Sequence, residues 1–448
     1  MSQDLVPDAE AVMAGKGKAG RGEICAWAMY DVANATYGTV VATAVYNAYF
    51  VNVIAGRAPG IGSGIGTSLL TMVICISSLA IVFTAPVIGT IADATASKKK
   101  LLLFSTLICI AATASLSLVG PGAYIAAMII LIIANTAFGT CEDLVAAFLP
   151  ELATREDMGR ISAFGWAAGY VGGLISLGTC LGYVKWAQTQ GQTSVQFVPV
   201  VMIICAAFYA LASSLTFIFL RERASPEPLK AGENFVHVGF ERLKRTFSHA
   251  RHYRDLFAFL LTLLVYSCGT TTIMHLATVY AQEVMKFTTQ DSIALILVVN
   301  VTAAIGAVIF GYVQDRIGSV KTLATTLGFW TVAIIMATMA HSKGDLWIAS
   351  NVVGIAMGAS GSAGRALVGQ FSPHGRSGEF LGLWGVGVKL ATAVGAVSFG
   401  LITHLTGGNL RIALASTLTF FILGIFLLLR VNEQRGIEAA HQDVDEPV

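Results

Sequence analysis

The chain has 448 residues, of which 55% are hydrophobic and only 12% charged, and its formal net charge is +2. A soluble protein of this length would form about three domains, each covered by charged side chains, and 28 basic with 26 acidic residues are too few for that. These numbers exclude a multidomain soluble enzyme and a disordered chain, give no reason to expect a nucleic-acid partner, and leave a polytopic membrane protein.

The chain begins with a polar segment, residues 1–23, that we predict to be a cytoplasmic tail. It carries Lys16, Lys18 and Arg21 but lacks the apolar run and cleavage site of a signal peptide. Beyond it, the seven cysteines all lie in apolar stretches, far apart and without a CxxC motif. Disulfide and zinc frameworks need close spacing in polar loops, so we expect no metal and no other cofactor.

Twelve segments have the roughly 20 mostly apolar residues that a membrane-spanning helix needs. They are residues 24–54, 66–92, 101–119, 122–149, 160–184, 198–220, 256–282, 291–313, 321–340, 345–372, 379–404 and 409–430. Their hydrophobicity is continuous rather than alternating, which selects helices over a barrel, so the predicted fold class is an all-α membrane protein. The first segment is too long for a straight span and should begin with an interfacial turn or cross at a strong tilt.

The distribution of lysine and arginine between the loops predicts the orientation. If both chain ends are cytoplasmic, the inner side carries 21 of these residues and the outer side five. Cytoplasmic loops are normally enriched in positive charge, so we expect both termini in the cytoplasm.

One long connection, residues 221–255, divides the spans into two groups of six. We therefore predict an N-terminal bundle over 24–220, a C-terminal bundle over 256–430 and a second cytoplasmic tail over 431–448. Within the connection, apolar residues recur at helical spacing at Val236, Phe240, Leu243 and Phe247. This pattern is typical of an amphipathic helix on the inner leaflet, and a solvated basic linker explains it equally well.

A short motif repeats between the two groups of spans. Gly89 and Asp93 stand at the end of the second span. Gly311 and Asp315 stand at the end of the eighth, 222 residues later in both cases, and Arg316 follows. A single GxxxD sequence carries little information, but two at matched positions in a chain of six plus six spans indicate a duplication.

Two six-helix halves joined by a long linker resemble the major facilitator superfamily over residues 24–430. The resemblance implies twelve helices around a central cavity, with halves that rock about a site near the middle of the membrane. It places five residues in the cytoplasmic gate: Gly89, Asp93, Gly311, Asp315 and Arg316. The glycines would allow close helix contact, and Asp93 or Asp315 would accept from the amides that begin a helix of the other half. Direct contact with the solute is the alternative for these residues.

Four further segments carry a narrower resemblance. They are residues 27–34 (WAMYDVAN), 147–151 (AFLPE), 165–173 (GWAAGYVGG) and 376–384 (RSGEFLGLW). Together they are similar to the "unknown major facilitator" branch, which is related to the autophagy-linked vacuolar effluxers. Membership implies a transporter, and the eukaryotic relatives are linked to amino-acid efflux from vacuoles.

Six ionisable side chains lie inside the predicted spans. They are Asp31, Glu142, Asp143, His275, Arg365 and Lys389. A charge at mid-membrane is unfavourable by at least about 2.5 kcal/mol, so each is a candidate for function. Five of the six lie on the spans that the superfamily arrangement places around the cavity, and Lys389 lies on span eleven. Glu142 and Arg365 each lie about 12 Å inside the cytoplasmic edge, so acidic groups of the N-terminal half should face basic groups of the C-terminal half.

Two interpretations of these charges remain open. In the first, Glu142 or Asp143 pairs with Arg365 or Lys389 and latches one conformation, since buried charges are usually paired. In the second, the acids bind the ammonium of a zwitterionic solute and the bases bind its carboxylate. Both hold if the solute replaces one partner of the latch.

Three remaining candidates also have two interpretations each. Asp31 is either a proton carrier or a carboxylate at a helix start that nearby amides hold. Asn34 either binds the solute or joins two spans. His275 is either a ligand or a packing residue of span seven.

The sequence therefore predicts a secondary-active transporter of a small polar, zwitterionic solute such as an amino acid, working by alternating access, with proton coupling as an open option. The alternative is a non-transporting sensor or scaffold on the same fold. We find no HExxH, GxSxG or P-loop motif and expect no enzyme activity. The expected partners are the solute and the lipid bilayer, and we expect a monomer in a bacterial inner membrane.

Overall fold

The computed structural model describes residues 19–56, 63–223, 241, 244, 246, 248–249, 251–287, 289–373, 375–405 and 409–442. Regular secondary structure in these residues is helical throughout. The helices that matter here are α1 (Arg21–Ala55), α2 (Ser63–Ala94), α3 (Lys98–Ser115), α4 (Tyr124–Leu152), α5 (Met158–Thr189), α6 (Ser194–Phe219), α7 (Arg254–Glu283), α8 (Thr289–Ile317), α9 (Ser319–Met339), α10 (Lys343–Phe371), α11 (Ser377–Leu405), α12 (Leu410–Leu428) and α13 (Glu433–Gln442). 

These helices confirm the predicted fold class. Eleven segments of the described residues are long and apolar enough to cross a membrane, and α11 has a comparable length of 29 residues. The twelve long helices form two groups, α1–α6 and α7–α12, each with its own apolar core. The apolar residues of the predicted linker helix lie outside the described residues.

The first helix accommodates its excess length in wide turns. After an α-helical start, α1 continues as π-helix over Tyr37–Ala44, returns to α-helix over Tyr46–Tyr49 and is again π-helical over Phe50–Ala55. Because an i→i+5 bond encloses more residues per turn than an i→i+4 bond, the chain fits 35 residues into one helical segment. Of the two predicted options, the structure shows no separate interfacial turn in the described segment from Arg21 onward, and a strong tilt stays a prediction.

Glycines bring the two halves into contact. α2 packs along α11 and α5 packs along α8. Gly89 lies against the backbone of Gly378, where a Cβ would overlap the carbonyl group, and Gly311 lies against the Cβ of Ala163, which an added Cβ would overlap. Both contacts lie at the face where α1 begins and α12 ends, which we call the terminal face. The repeated glycine thus allows the close helix approach that the sequence suggests.

An ion pair repeats in the two halves at the terminal face. Arg223, which follows α6, donates to both carboxylate oxygens of Glu23 near the start of α1 at 2.8 and 2.7 Å. Arg435, which follows α12, donates to both carboxylate oxygens of Asp255 near the start of α7 at 2.5 and 2.7 Å. These hydrogen bonds raise the pKa of Arg223 and of Arg435 above the ordinary value. Each pair ties the last helix of a half to its first.

A helix cap repeats in the same way. Glu222 accepts from the amides of the first two residues of α3 at 2.5 and 3.3 Å. Glu433 accepts from the amides of the first two residues of α9, at 2.9 Å each. A carboxylate at a helix N-terminus satisfies free amides and the positive end of the helix dipole. The internal repeat therefore includes the segment after the sixth helix of each half as well as the GxxxD motifs.

Candidate functional site

The repeated aspartates join the two halves at the terminal face. The Asp93 carboxylate accepts from the amides of Gly378 at 3.0 Å and Glu379 at 2.9 Å, at the start of α11. The Asp315 carboxylate accepts from the amide of Arg160 at 3.3 Å, in the first turn of α5. Each aspartate thus holds the N-terminus of a helix from the opposite half, which is the geometry that a gate of the superfamily type requires. Their role in gating stays a prediction.

A buried lysine strengthens one of these contacts. Lys98 is only 1% exposed, and its Nζ lies 3.0 Å from Asp93 Oδ1 and 2.7 Å from Glu151 Oε1. The same Nζ donates to the hydroxyl of Ser377 on α11 at 2.7 Å. Sequence reasoning counted Lys98 only as a basic loop residue. Its position five residues after Asp93 is the one signal that could have linked it to the gate.

Arg316 does not take part in this arrangement. It is exposed at the end of α8 and has no ion pair within the described ranges. Within the described part of the chain, α5 and α8 are joined at this face by the hydrogen bond from the Arg160 amide to Asp315. The placement of Arg316 in the gate is therefore not supported by its geometry.

Arg365 extends from α10 into the N-terminal half and is 4% exposed. Its Nη1 donates to both carboxylate oxygens of Asp31 at 3.2 and 3.0 Å. Its Nε and Nη2 donate to the hydroxyl and carbonyl oxygens of Ser162 at 3.1 and 2.7 Å. The guanidinium carbon also lies 4.9 Å from the ring centroid of Trp27 and 5.6 Å from that of Trp166. This pair is desolvated and nearly saturated with hydrogen bonds.

The partner of Arg365 differs from the predicted one. The sequence paired Glu142 or Asp143 with Arg365 or Lys389. The structure contains the Glu142–Lys389 pair, whereas Ser162 and the two indoles direct the guanidinium of Arg365 to Asp31 on α1. Gly165 makes this possible, because a Cβ there would overlap the carboxylate of Asp31. Asp31 also lies ten residues after the start of α1, so its interpretation as a helix-start carboxylate is wrong.

A second ion pair crosses between the halves and is more accessible. Lys389 Nζ on α11 donates to Glu142 Oε2 on α4 at 2.9 Å. The side chains are 18% and 37% exposed, compared with 4% and 12% for Arg365 and Asp31. Glu142 lies ten residues before the end of α4, which is about 15 Å at 1.5 Å per residue. Its exposure at this depth means that water-sized space remains beside the pair between α4 and α11.

Asp143 lies next to this pair but makes no ion pair with another residue that the structure describes. It is buried, and its Oδ2 has no hydrogen-bond partner among the described residues. The carboxylate lies against Gly385 on α11, where a Cβ would overlap it. Gly385 precedes Lys389 by one helical turn, so Asp143 belongs to the same cluster as the accessible pair.

The last two candidates have different outcomes. Asn34 is buried and accepts a hydrogen bond from the Tyr209 hydroxyl on α6 at 2.6 Å. It therefore joins two helices of the N-terminal half, which is the second of its two interpretations. His275 belongs to α7, and its side chain lies outside what the structure describes.

Comparison with known proteins identifies the family. The family model for "Vacuole effluxer Atg22 like" matches residues 65–441, which is most of the chain. The chain belongs to this family. The resemblance stated from the sequence is thereby confirmed, and the protein is an Atg22-like transporter of the major facilitator superfamily.

Two relatives illustrate the range of the family. The uncharacterized MFS-type transporter YxiO of Bacillus subtilis is 26% identical over 424 residues, which cover 94% of this chain and 97% of that protein. Autophagy-related protein 22 of Kluyveromyces lactis is 24% identical over 220 residues, which cover 47% of this chain and 44% of that protein. The similarity to YxiO thus extends over nearly the whole Atg22-like chain, whereas the fungal protein is matched over less than half its length.

Solved structures of similar fold are also transporters of the superfamily. The human organic anion transporter MFSD10 aligns with a TM-score of 0.70 at 15% identity, covering 91% of this chain and 99% of that one. The proton:xylose symporter XylE aligns with a TM-score of 0.66 at 15% identity, covering 95% and 98%. At such low identity these likenesses establish the shared fold of the Atg22-like chain and not its solute.

Proposed function

We propose that this protein carries a small zwitterionic solute, such as an amino acid, across the membrane by alternating access. The observation that carries the proposal is the accessible pair of Glu142 and Lys389, which one 2.9 Å hydrogen bond joins across the two halves. A solute with both charges can replace each partner, with its ammonium on Glu142 and its carboxylate on Lys389. Each side chain then gives up its partner in the protein and pairs with a charge of the solute, so neither is left unpaired.

The other pair has a different role in this proposal. Arg365 donates four hydrogen bonds to Asp31 and Ser162, and it is almost inaccessible. Removing one member of such a pair leaves an uncompensated buried charge, so a solute gains little by competing for it. We assign Asp31 and Arg365 to latching the two halves in the conformation that is closed at the terminal face.

The charge balance of the cluster favours proton coupling through Asp143. Among the described side chains of the cluster, Asp31, Glu142 and Asp143 face Arg365 and Lys389, so one carboxylate exceeds the number of cations. A zwitterion does not change this balance. A buried carboxylate without a partner is stabilised by a bound proton, and a proton on Asp143 makes the loaded site neutral. We therefore assign the proton to Asp143, because Asp31 already has a cation.

The orientation follows from the positive-inside rule. The excess of basic residues at the terminal face favours a cytoplasmic position for this face and for both chain ends. In this conformation Asp93, Lys98 and Asp315 connect the halves on that side of the accessible pair. The solute then reaches Glu142 from the opposite face of a bacterial inner membrane, and a single chain forms the whole pathway.

Transport by the purified protein in lipid vesicles tests the proposal. Vesicles containing the wild-type chain are offered labelled amino acids with and without a pH gradient, and vesicles with Glu142→Gln serve as the matched control. We expect saturable uptake that the gradient stimulates and that the variant loses. Absence of saturable flux for every amino acid offered would favour the sensor or scaffold alternative.

A further inference from the structure

The ammonium of Lys389 contacts an aromatic ring as well as a carboxylate. Its Nζ lies 5.6 Å from the ring centroid of Phe138 and 2.9 Å from Glu142 Oε2. Phe138 and Glu142 are four residues apart on α4, so they lie on one face of the helix. A cation within about 6 Å of a ring centroid is attracted by the negative face of the ring. Carboxylate and ring together thus form a site for an ammonium group.

The ring is held in place from behind. Phe138 stacks on Tyr37 of α1 with ring centroids 4.9 Å apart and an interplanar angle of 27°. Tyr37 is fully buried, and its hydroxyl donates to Asn135 Oδ1 at 2.8 Å. Asn135 precedes Phe138 by three residues, so α1 and α4 fix the orientation of the ring before any ligand arrives. Such preorganisation lowers the entropy that binding has to overcome.

Packing against Tyr37 accounts for one face of this aromatic ring only. Phe138 is only partly buried, and one face of the ring lies beneath the ammonium of Lys389. An aliphatic side chain of similar size would fill the same volume but would not attract a cation. The arrangement resembles a filled ligand site in which the ligand is tethered to the protein.

We infer that Glu142 and Phe138 form the recognition site for the ammonium of the solute, and that in this conformation the ammonium of Lys389 occupies it. This inference rests on the proposed function, because it names the group of the solute that the accessible pair recognises. The solute ammonium binds between the carboxylate and the ring, while displaced Lys389 binds the solute carboxylate. Phe138 is then a specificity residue for solutes that carry an amino group.

Chemical rescue tests the site without any need for transport. In Lys389→Ala, n-propylamine supplies the atoms that the substitution removes, and its binding is measured as a rise in the thermal unfolding midpoint of the purified chain. We expect saturable stabilisation, none with n-propanol, and none in the wild-type chain, where Lys389 blocks the site. Adding Phe138→Leu should weaken the apparent affinity for the amine about 5- to 30-fold, whereas adding Phe138→Tyr should preserve it.

Two outcomes would overturn the inference. The first is equal amine affinity with Phe138→Leu and Phe138→Tyr, and the second is no saturable stabilisation of a folded Lys389→Ala chain. If Lys389→Ala does not fold, the affinity for free alanine is compared between Phe138→Leu and Phe138→Tyr in the otherwise unchanged chain. Equal affinities would again show that the Phe138 ring does not recognise the ammonium. Amine rescue without amino-acid flux would refute the proposed function alone, and flux that is indifferent to Phe138→Leu would refute only this inference.

Discussion

Replacing Asp93 by asparagine tests whether the contact between α2 and α11 keeps the terminal face closed. In the wild-type chain the Asp93 carboxylate accepts two amide hydrogen bonds across the halves and pairs with Lys98 at 3.0 Å. Asparagine has one acceptor oxygen, so one of the two hydrogen bonds from the backbone amides of α11 is lost. The Nδ2 group, itself a donor, then faces a backbone N–H donor. Hydrogen bonds to charged groups contribute about 1.5–3 kcal/mol, and Asp93 is almost fully buried. The closed conformation should therefore lose about tenfold to 150-fold in population relative to the open one.

Distance measurement between the halves detects this shift. Spin labels at the exposed positions Lys100 and Lys321 report the separation of α3 and α9 at the terminal face, after the exposed Cys25 and Cys75 have been replaced. We expect a longer distance to become populated in Asp93→Asn.

Asp315→Asn is the matched control for Asp93→Asn. Asp315 accepts from the amide of Arg160 at 3.3 Å, so its hydrogen bonds are longer than those of Asp93 and the shift in the distance distribution should be smaller. An unchanged distribution in Asp93→Asn, or a larger shift in Asp315→Asn, would refute the assignment of the gate.

Three further substitutions address the charged cluster. Asp143→Asn should make solute binding independent of pH, whereas wild-type affinity should fall as pH rises and Asp143 loses its proton; binding isotherms across a pH series measure both. Arg365→Ala should lower the free energy of unfolding by about 3–5 kcal/mol because it leaves Asp31 buried and unpaired, and thermal unfolding should show partial recovery when Asp31→Asn is added. Gly385→Ala should lower the unfolding midpoint because its Cβ overlaps the Asp143 carboxylate, while Gly178→Ala, where a Cβ meets no atom within 4 Å, should leave it unchanged.

Hydropathy alone predicts the long helices because lipid requires a continuous apolar stretch of defined length. It does not predict how α1 is wound. The π-helical segment Tyr37–Ala44 contacts neighbouring helices, for example through the hydrogen bond from Tyr37 to Asn135. These contacts join residues nearly 100 positions apart, and helical periodicity contains no information about them.

The charged residues show a similar division. Counting residues along a helix gives the depth of Glu142 and Arg365 in the membrane. Equal depth does not determine which neighbour a side chain faces. Arg365 pairs with Asp31 because Ser162 and the two indoles surround its guanidinium. Ser162 has no charge or motif that would have drawn attention to it in the sequence.

The GxxxD motifs were the most informative part of the sequence for the gate. They indicated both the close approach at Gly89 and the amide contacts of Asp93 and Asp315. They did not identify Lys98, because a lysine next to other lysines is normally solvated. Its burial follows from two acidic neighbours, Asp93 and Glu151, that only the folded chain brings together.

Exchanging the two charges of the accessible pair distinguishes a solute site from a latch. The double variant Glu142→Lys, Lys389→Glu retains an ion pair between α4 and α11 but places the cation beside Phe138 on α4 and the carboxylate on α11. We predict that its unfolding midpoint recovers relative to either single variant, while amino-acid uptake into vesicles stays below about a tenth of wild type. A charged group of the solute that meets a like charge in this site loses more than about 1.4 kcal/mol of binding free energy. If uptake were restored together with stability, Glu142 and Lys389 would form a latch and would not bind the solute.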